Sequence, residues 1–240
     1  MFSLDHTLRF LFLAMLLVQL SACAPNNDAD CSRVNIDQLE SAARAGLPEA
    51  QNELGRYHEL GECVASDFEE AAAWYQLAAE QGHVNAQKVL GFMYAGGMGV
   101  QQDNAISLQW FMRAAEAGHP EAQLGLATAY FRGIGIVRDR ETAARWFRKS
   151  AEQNFARSQY NLGNLYQNGA GVPRDLVEAY KWYGLSARNG YSKAEKSLAQ
   201  LNDKLPPELI NQARQLIEDW RPENPESDWE YKPQHEPTSP

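Results

Sequence analysis

The residues of this 240-residue chain that could do chemistry are three cysteines, five histidines and a set of short glycine-rich stretches. His83 and His119 stand 36 residues apart, and the same interval leads on to Phe155 and Tyr191. A position that accepts His, Phe and Tyr reads as packing rather than as a metal ligand or a base. His58 falls where the following intervals carry tyrosine, and His235 lies near the C-terminus. There is no H-E-x-x-H and no metal-spaced Cys/His cluster, so neither metal nor cofactor is expected. The signatures of an activated serine, G-x-S-x-G and S-x-x-K, are missing too, and no catalytic residue is assigned. Gly96-Gly97-Met98-Gly99-Val100 hints at a phosphate loop but lacks the G-K-[ST] ending, and it recurs at intervals as a connector. Glu80, Glu116 and Glu152 share one column and read as a solvated helix end.

The charge balance narrows the partners. With 22 Lys+Arg against 31 Asp+Glu the formal net charge is −9, and such a surface repels phosphate backbones, which excludes nucleic acid. A hydrophobic fraction of 44% is enough for one domain with a substantial core.

Cysteine 23 is the exception to this lack of chemistry. Residues 1–22 read as a signal peptide: Phe10 to Leu20 is an apolar run broken only by Gln19, too short to span a bilayer as a helix. The run ends in Leu20-Ser21-Ala22-Cys23, which resembles the bacterial lipobox, whose Cys thiol is acylated and becomes the mature N-terminus. Ala22-Cys23-Ala24 also fits an ordinary A-x-A cleavage site. Cysteine arithmetic favours the lipidated reading, because it leaves Cys31 and Cys63 as an even pair in an oxidising compartment. A disulfide between them would close a loop of about 30 residues and add roughly 3–4 kcal/mol. Several acyl chains anchor a protein stably, and by resemblance to enteric lipoproteins Ala24 after the Cys favours the outer membrane, on its periplasmic face. Residues 23–34 are then the lipidated cysteine and a tether.

The elements that would carry any site are set by a repeat. Trp74, Trp110, Trp146 and Trp182 follow one another at 36 residues, each with an aromatic neighbour. At that period Leu54, Leu90, Leu126 and Leu162 align, as do Gly61, Gly97, Gly133 and Gly169, and then Asp67, Asp103, Asp139 and Asp175. His58, Tyr94, Tyr130 and Tyr166 form a further column. The Leu and the residue four on share one face of a first helix. The Gly stops that helix, the Asp caps a second, and the second carries the Trp pair into the core. Asp175 with Glu178 has capping-box spacing. Each unit is helix, turn, helix, with an apolar face that only stacking buries. Four such repeats fill residues 50–193, with an N-terminal capping half-repeat at 35–49 and C-terminal capping helices at 194–220 broken at Pro206-Pro207. Residues 221–240 hold five prolines among polar and acidic residues and read as a disordered tail.

Segments such as Ala71–His83 and Leu162–Val172 resemble the Sel-one-like repeat (SLR) family, relatives of tetratricopeptide repeats. The resemblance implies an all-α fold: an α/α solenoid, a right-handed superhelix, whose concave surface is lined by first helices and binds protein partners. By register with tetratricopeptide relatives, the partner-facing positions are Arg56, Phe92, Phe131, Arg132, Tyr160, Asn164 and Gln167. Cys63, Ala127 and Asn154 replace family glycines. What the family implies is a protein-interaction module in the envelope. Its partner would be a periplasmic protein, with the chain as a scaffold or as an immunity protein against a toxic effector. Disulfide-rich family members with a Cys pair in every repeat are linked to β-lactam binding or weak hydrolysis of such substrates. That enzymatic alternative is secondary here, because only Cys31 and Cys63 fall in the fold.

Overall fold

The computed structural model describes residues 35–222. The expected signal segment, Cys23, Cys31 and the tail from residue 223 lie outside the described residues. Among those described, eleven α-helices and no strand are present. They are α1 Ile36–Arg44, α2 Pro48–Leu60, α3 Phe68–Glu80, α4 Val84–Gly96, α5 Asn104–Glu116, α6 Pro120–Arg132, α7 Arg140–Glu152, α8 Ala156–Asn168, α9 Leu176–Arg188, α10 Ser192–Asn202 and α11 Pro207–Glu218. The architecture is an all-α solenoid of four repeats, each pairing a first helix (α2, α4, α6, α8) with a second (α3, α5, α7, α9). The described residues divide into two compact units, one of residues 35–86 with Gly97–Gln101, the other of Gln87–Gly96 with residues 102–222.

Local chemistry fixes where every second helix begins. Asp67, Asp103, Asp139 and Asp175 are extended at the N-cap, and each carboxylate accepts the second and third backbone N–H groups of its helix at 2.8–3.0 Å. The backbone N–H of each of these aspartates donates to the carbonyl nine residues back, that of His58, Tyr94, Tyr130 or Tyr166, at 2.9–3.0 Å. The wrap between helices is therefore closed by the same two devices four times. The expected capping box at Asp175 is only half formed. Glu178 supplies its N–H to Asp175, but its carboxylate turns down the helix to accept from Trp182 Nε1 at 3.0 Å. Burial of the indole is the competing demand, since a buried N–H needs an acceptor.

The wrap glycines are required by a close approach. A Cβ at Gly99 would stand 1.9 Å from the Phe68 carbonyl oxygen, and one at Gly171 would stand 2.1 Å from that of Arg140, at φ of +65° and +76°. Each wrap nests on the first residue of the second helix 31 residues earlier. In the first repeat this column holds Cys63, also left-handed at φ 60°.

A column unnoticed in the sequence binds helix pairs together. Gln51, Gln123 and Gln159 are buried, and each amide donates to the carbonyl eight residues back, of Ala43, Ala115 and Ala151, at 3.0–3.2 Å. Their own amide oxygens accept from Gln81, Gln153 and Asn189 at 2.7–2.9 Å. Buried amides are tolerated because both ends are satisfied.

The tryptophan column departs from the expectation of uniform core. Trp182 and Trp110 are buried, but Trp74 and Trp146 are only half-buried. At the last repeat a second indole covers the column. Trp220 sits edge-on to Trp182 at 5.1 Å, whereas Trp146 has the Lys149 ammonium over its ring at 4.5 Å.

Candidate functional site

The first helices present the same columns with different side chains, and in the second unit those side chains leave a cleft. It has a volume of about 200 Å³. Helix α4 contributes Phe92 and Ala95; α5 contributes Asn104, Ser107, Leu108 and Phe111. From α6 come Leu124, Gly125, Thr128 and Ala129, with Ile134 from the following wrap and Arg157 from the first turn of α8.

Phe111 is the floor. Its ring is clasped between two glycines: a Cβ would stand 2.6 Å from it at Gly91 and 3.0 Å from it at Gly125. Phe92 meets it edge-on at 4.8 Å, nearly perpendicular at 80°. Gly91 belongs to a repeated column, since Gly55 and Gly163 face Tyr75 and Tyr183 in the same way. Gly125 does not. Its column reads Glu53, Val89, Gly125 and Asn161, so the third repeat alone lacks a side chain at this place and the cleft opens there. The wall is less polar than its composition implies. Ser107 donates its hydroxyl to the Gly91 carbonyl at 2.6 Å, and Thr128 donates to that of Leu124 at 2.8 Å. Both hydroxyls are spent on backbone, so an incoming group meets carbon. Small-molecule sites run to roughly 300–1,000 Å³, and this cleft is sized for one or two side chains instead.

Charge lies about one turn back along the same helices. Lys88 of α4 and Glu121 of α6 form a half-buried ion pair at 3.5 Å. His119, buried at the N-cap of α6, accepts the Glu121 N–H on Nδ1 at 3.2 Å. Burial, with the nearby Lys88 charge, pushes its imidazole down to about 3, so it is neutral at pH 7. Arg157 is exposed, and among the described residues no carboxylate pairs with it.

The seven residues expected to face a partner are placed differently from one another. Phe92 lines the cleft. Arg56, on α2, is held by Glu53 and Glu62, each at 2.7 Å, with its guanidinium 4.6 Å from the Tyr57 ring centre. Beside it Glu59 accepts the hydroxyl of buried Tyr75 at 2.6 Å, and burial together with that carboxylate raises the phenol well above its ordinary range. Tyr160 packs on Tyr183 and Tyr191 at 5.6 and 5.1 Å. The Tyr183 hydroxyl lies 2.8 Å from Asn164 Oδ1 and 2.7 Å from Gln167 Oε1, and with one proton it donates to one of them at a time. Phe131 lies edge-on to Phe147 at 6.5 Å, and Arg132 is exposed at the end of α6. Four of the seven thus hold the fold's own aromatics, Arg56 is tied into ion pairs, Phe92 reaches the cleft and Arg132 stays in solvent. Sequence reasoning missed Leu124, Gly125 and Arg157; the odd glycine in its column was the available signal.

Among the described residues no group of three His, Cys, Asp or Glu is placed to hold a metal ion, and no helix is long and apolar enough to cross a membrane. The fold and its family come from independent comparisons. The Sel1 repeat model matches residues 48–83, 84–119, 120–155 and 156–191, each repeat opening on the first residue of a first helix. The chain belongs to the Sel1 repeat family. Its repeats begin two residues upstream of the boundaries expected from the tryptophan spacing. Among solved structures the chain is similar to a protective antigen present in uropathogenic Escherichia coli strains that displays an SLR fold, with 34% identity and a TM-score of 0.70 over 78% of this chain and 41% of that one. It is also similar to a Sel1 repeat protein from Oxalobacter formigenes, with 39% identity and a TM-score of 0.62 over 68% and 47%. The chain therefore spans less than half the length of either relative. An immunity protein from Pseudomonas aeruginosa is 18% identical with a TM-score of 0.49 over 93% and 87%; a likeness that faint carries no argument. No functionally curated protein matches the sequence. Sel1 repeat proteins are protein-interaction modules, and this chain has their scaffold.

Proposed function

We propose that this Sel1 repeat protein is an envelope-anchored binding module, held by lipid on Cys23 to the periplasmic face of the outer membrane and docking a periplasmic protein on its first-helix face. The observation that carries the docking reading is the Phe111-floored cleft. It is apolar, it is preformed, and it is sized for an anchor side chain of a partner rather than for a substrate. A binding role is favoured over a catalytic one because the two hydroxyls on the cleft wall, those of Ser107 and Thr128, are already hydrogen-bonded to backbone. In the cell the chain acts as a scaffold for envelope proteins or as an immunity protein that caps a toxic effector, and the identity of the partner decides which.

The lipobox at Leu20–Cys23 and the even pair left behind, Cys31 and Cys63, support the anchored, oxidised form. Thiol labelling of both cysteines in native protein would refute the disulfide.

The test is capture from envelope extract with a secreted form carrying Cys23→Ser. A stoichiometric protein retained by this form, and lost on Ala95→Phe, which fills the cleft, supports the reading. A partner indifferent to Ala95→Phe would overturn the cleft as the docking site.

A further inference from the structure

The chain carries a segment with the chemistry this cleft would recognise. Asp228-Trp229-Glu230-Tyr231 sets two aromatic rings among carboxylates, and residues 223–240 hold five Asp/Glu against one lysine. Arg157, exposed and without a carboxylate partner among the described residues, is the charged side chain that lines the cleft. The charges are complementary.

The point at which the segment leaves the fold is also fixed. Trp220 donates from Nε1 to Asn154 Oδ1 at 3.2 Å, and the Lys181 ammonium lies 5.5 Å from its ring centre. Ile217 packs where Gly184 leaves room, and the Ile217 carbonyl accepts from Arg188 at 3.2 Å. Asn154, left-handed in the turn before α8, is three residues before Arg157, at most about 10 Å along the chain, and Arg157 lines the cleft. Trp229 stands nine positions after Trp220, and an extended chain of that length reaches roughly 30 Å. The anchor therefore delivers the tail close to the cleft with slack to spare.

We infer that the C-terminal segment Asp228–Tyr231 occupies the Phe92–Phe111–Leu124 cleft of its own chain, with Trp229 or Tyr231 as the apolar anchor and a flanking carboxylate on Arg157. The inference rests on the cleft being a protein-docking site and names its occupant in the unbound protein. A partner must displace this segment, so the tail sets a threshold of affinity or concentration for docking.

The test uses the full chain and a fluorescent synthetic peptide of residues 223–240. A tethered segment acts at an effective concentration near millimolar, so it competes strongly with the free peptide. The double variant Trp229→Ala/Tyr231→Ala, its own tail disarmed, should bind the peptide at least ~10-fold more tightly than the unaltered chain does. Adding Arg157→Glu or Ala95→Phe should abolish that binding, and raising the salt from 50 to 500 mM should weaken it. Helicity by circular dichroism confirms that these variants are folded. Equal binding by the unaltered chain and the double variant, no binding by either, or binding indifferent to both cleft substitutions would overturn the inference. Capture of a cleft-dependent partner without peptide binding would remove the tail alone. Peptide binding without any captured partner would remove the docking function and leave the tail in place.

Discussion

The first-helix faces of repeats one and three use the same columns for opposite purposes. In repeat one they read Asn52, Glu53, Arg56 and Glu59, and the charges are spent on each other and on the hydroxyl of Tyr75. In repeat three they read Leu124, Gly125, Thr128 and Phe131, and next to Phe92 of repeat two they leave an opening floored by Phe111. The backbone devices beneath are the same in both: an Asp cap, a wrap bonded nine residues back, and a left-handed glycine ending the first helix. A repeat therefore separates what holds the fold from what faces outward, and one missing side chain in a column suffices to turn a closed surface into a cleft.

The largest effect that would break this contrast is at the floor. Phe111→Ala removes a buried ring clasped by two glycines and should cost about 3–5 kcal/mol in a urea titration. A loss under ~1 kcal/mol would mean that the ring is not the keystone of repeats two and three. Next is the edge of the cleft. Phe92→Ala should weaken the captured partner by ~2 kcal/mol, about 30-fold, while Arg56→Ala leaves that affinity within about threefold. Isothermal titration distinguishes them, and equal losses would erase the difference between the two faces.

The third effect depends on pH. His119 is neutral in the fold, with its pKa at about 3, and titrates near 6.5 when unfolded. Below pH 6.5 the unfolded chain binds a proton that the folded chain refuses, so stability falls as the pH drops from 6.5 toward 3 and is unaffected above. The slope approaches ~1.4 kcal/mol per pH unit for this group. His119→Phe, the residue type that Phe155 supplies in the next repeat, should flatten that slope in thermal melts taken between pH 7 and 5. The smallest effect belongs to repeat one. The Arg56 pairs are partly exposed, and Arg56→Ala should lower stability by no more than ~1 kcal/mol, less at high salt.

Much of the architecture was legible because a repeat is written in the chain four times. The tryptophan period gave the helix pairs, the Asp column gave the caps, and the glycine column gave the stops. The residues facing outward were read less well. Tyr160, Asn164 and Gln167 stand at groove columns, yet all three serve Tyr183, because a phenol pushed against a glycine needs neighbours for its ring and an acceptor for its proton. Glu178 was read as half of a capping box, but a buried indole claimed its carboxylate. The buried glutamines Gln51, Gln123 and Gln159 passed unnoticed because a glutamine column reads as surface until its partners are known.

By itself, then, the sequence determined the period, the aspartate caps of the second helices, the glycine stops of the first, the family and the places where glycine is unavoidable, since these depend on interactions within about ten residues or on a pattern repeated without change. Only the tertiary structure decided which tryptophans are core, which groove residues are already committed, and that Gly125 opens onto Phe111. Those outcomes depend on what a neighbouring helix brings to the same point in space, and a column of identical spacing carries no record of that.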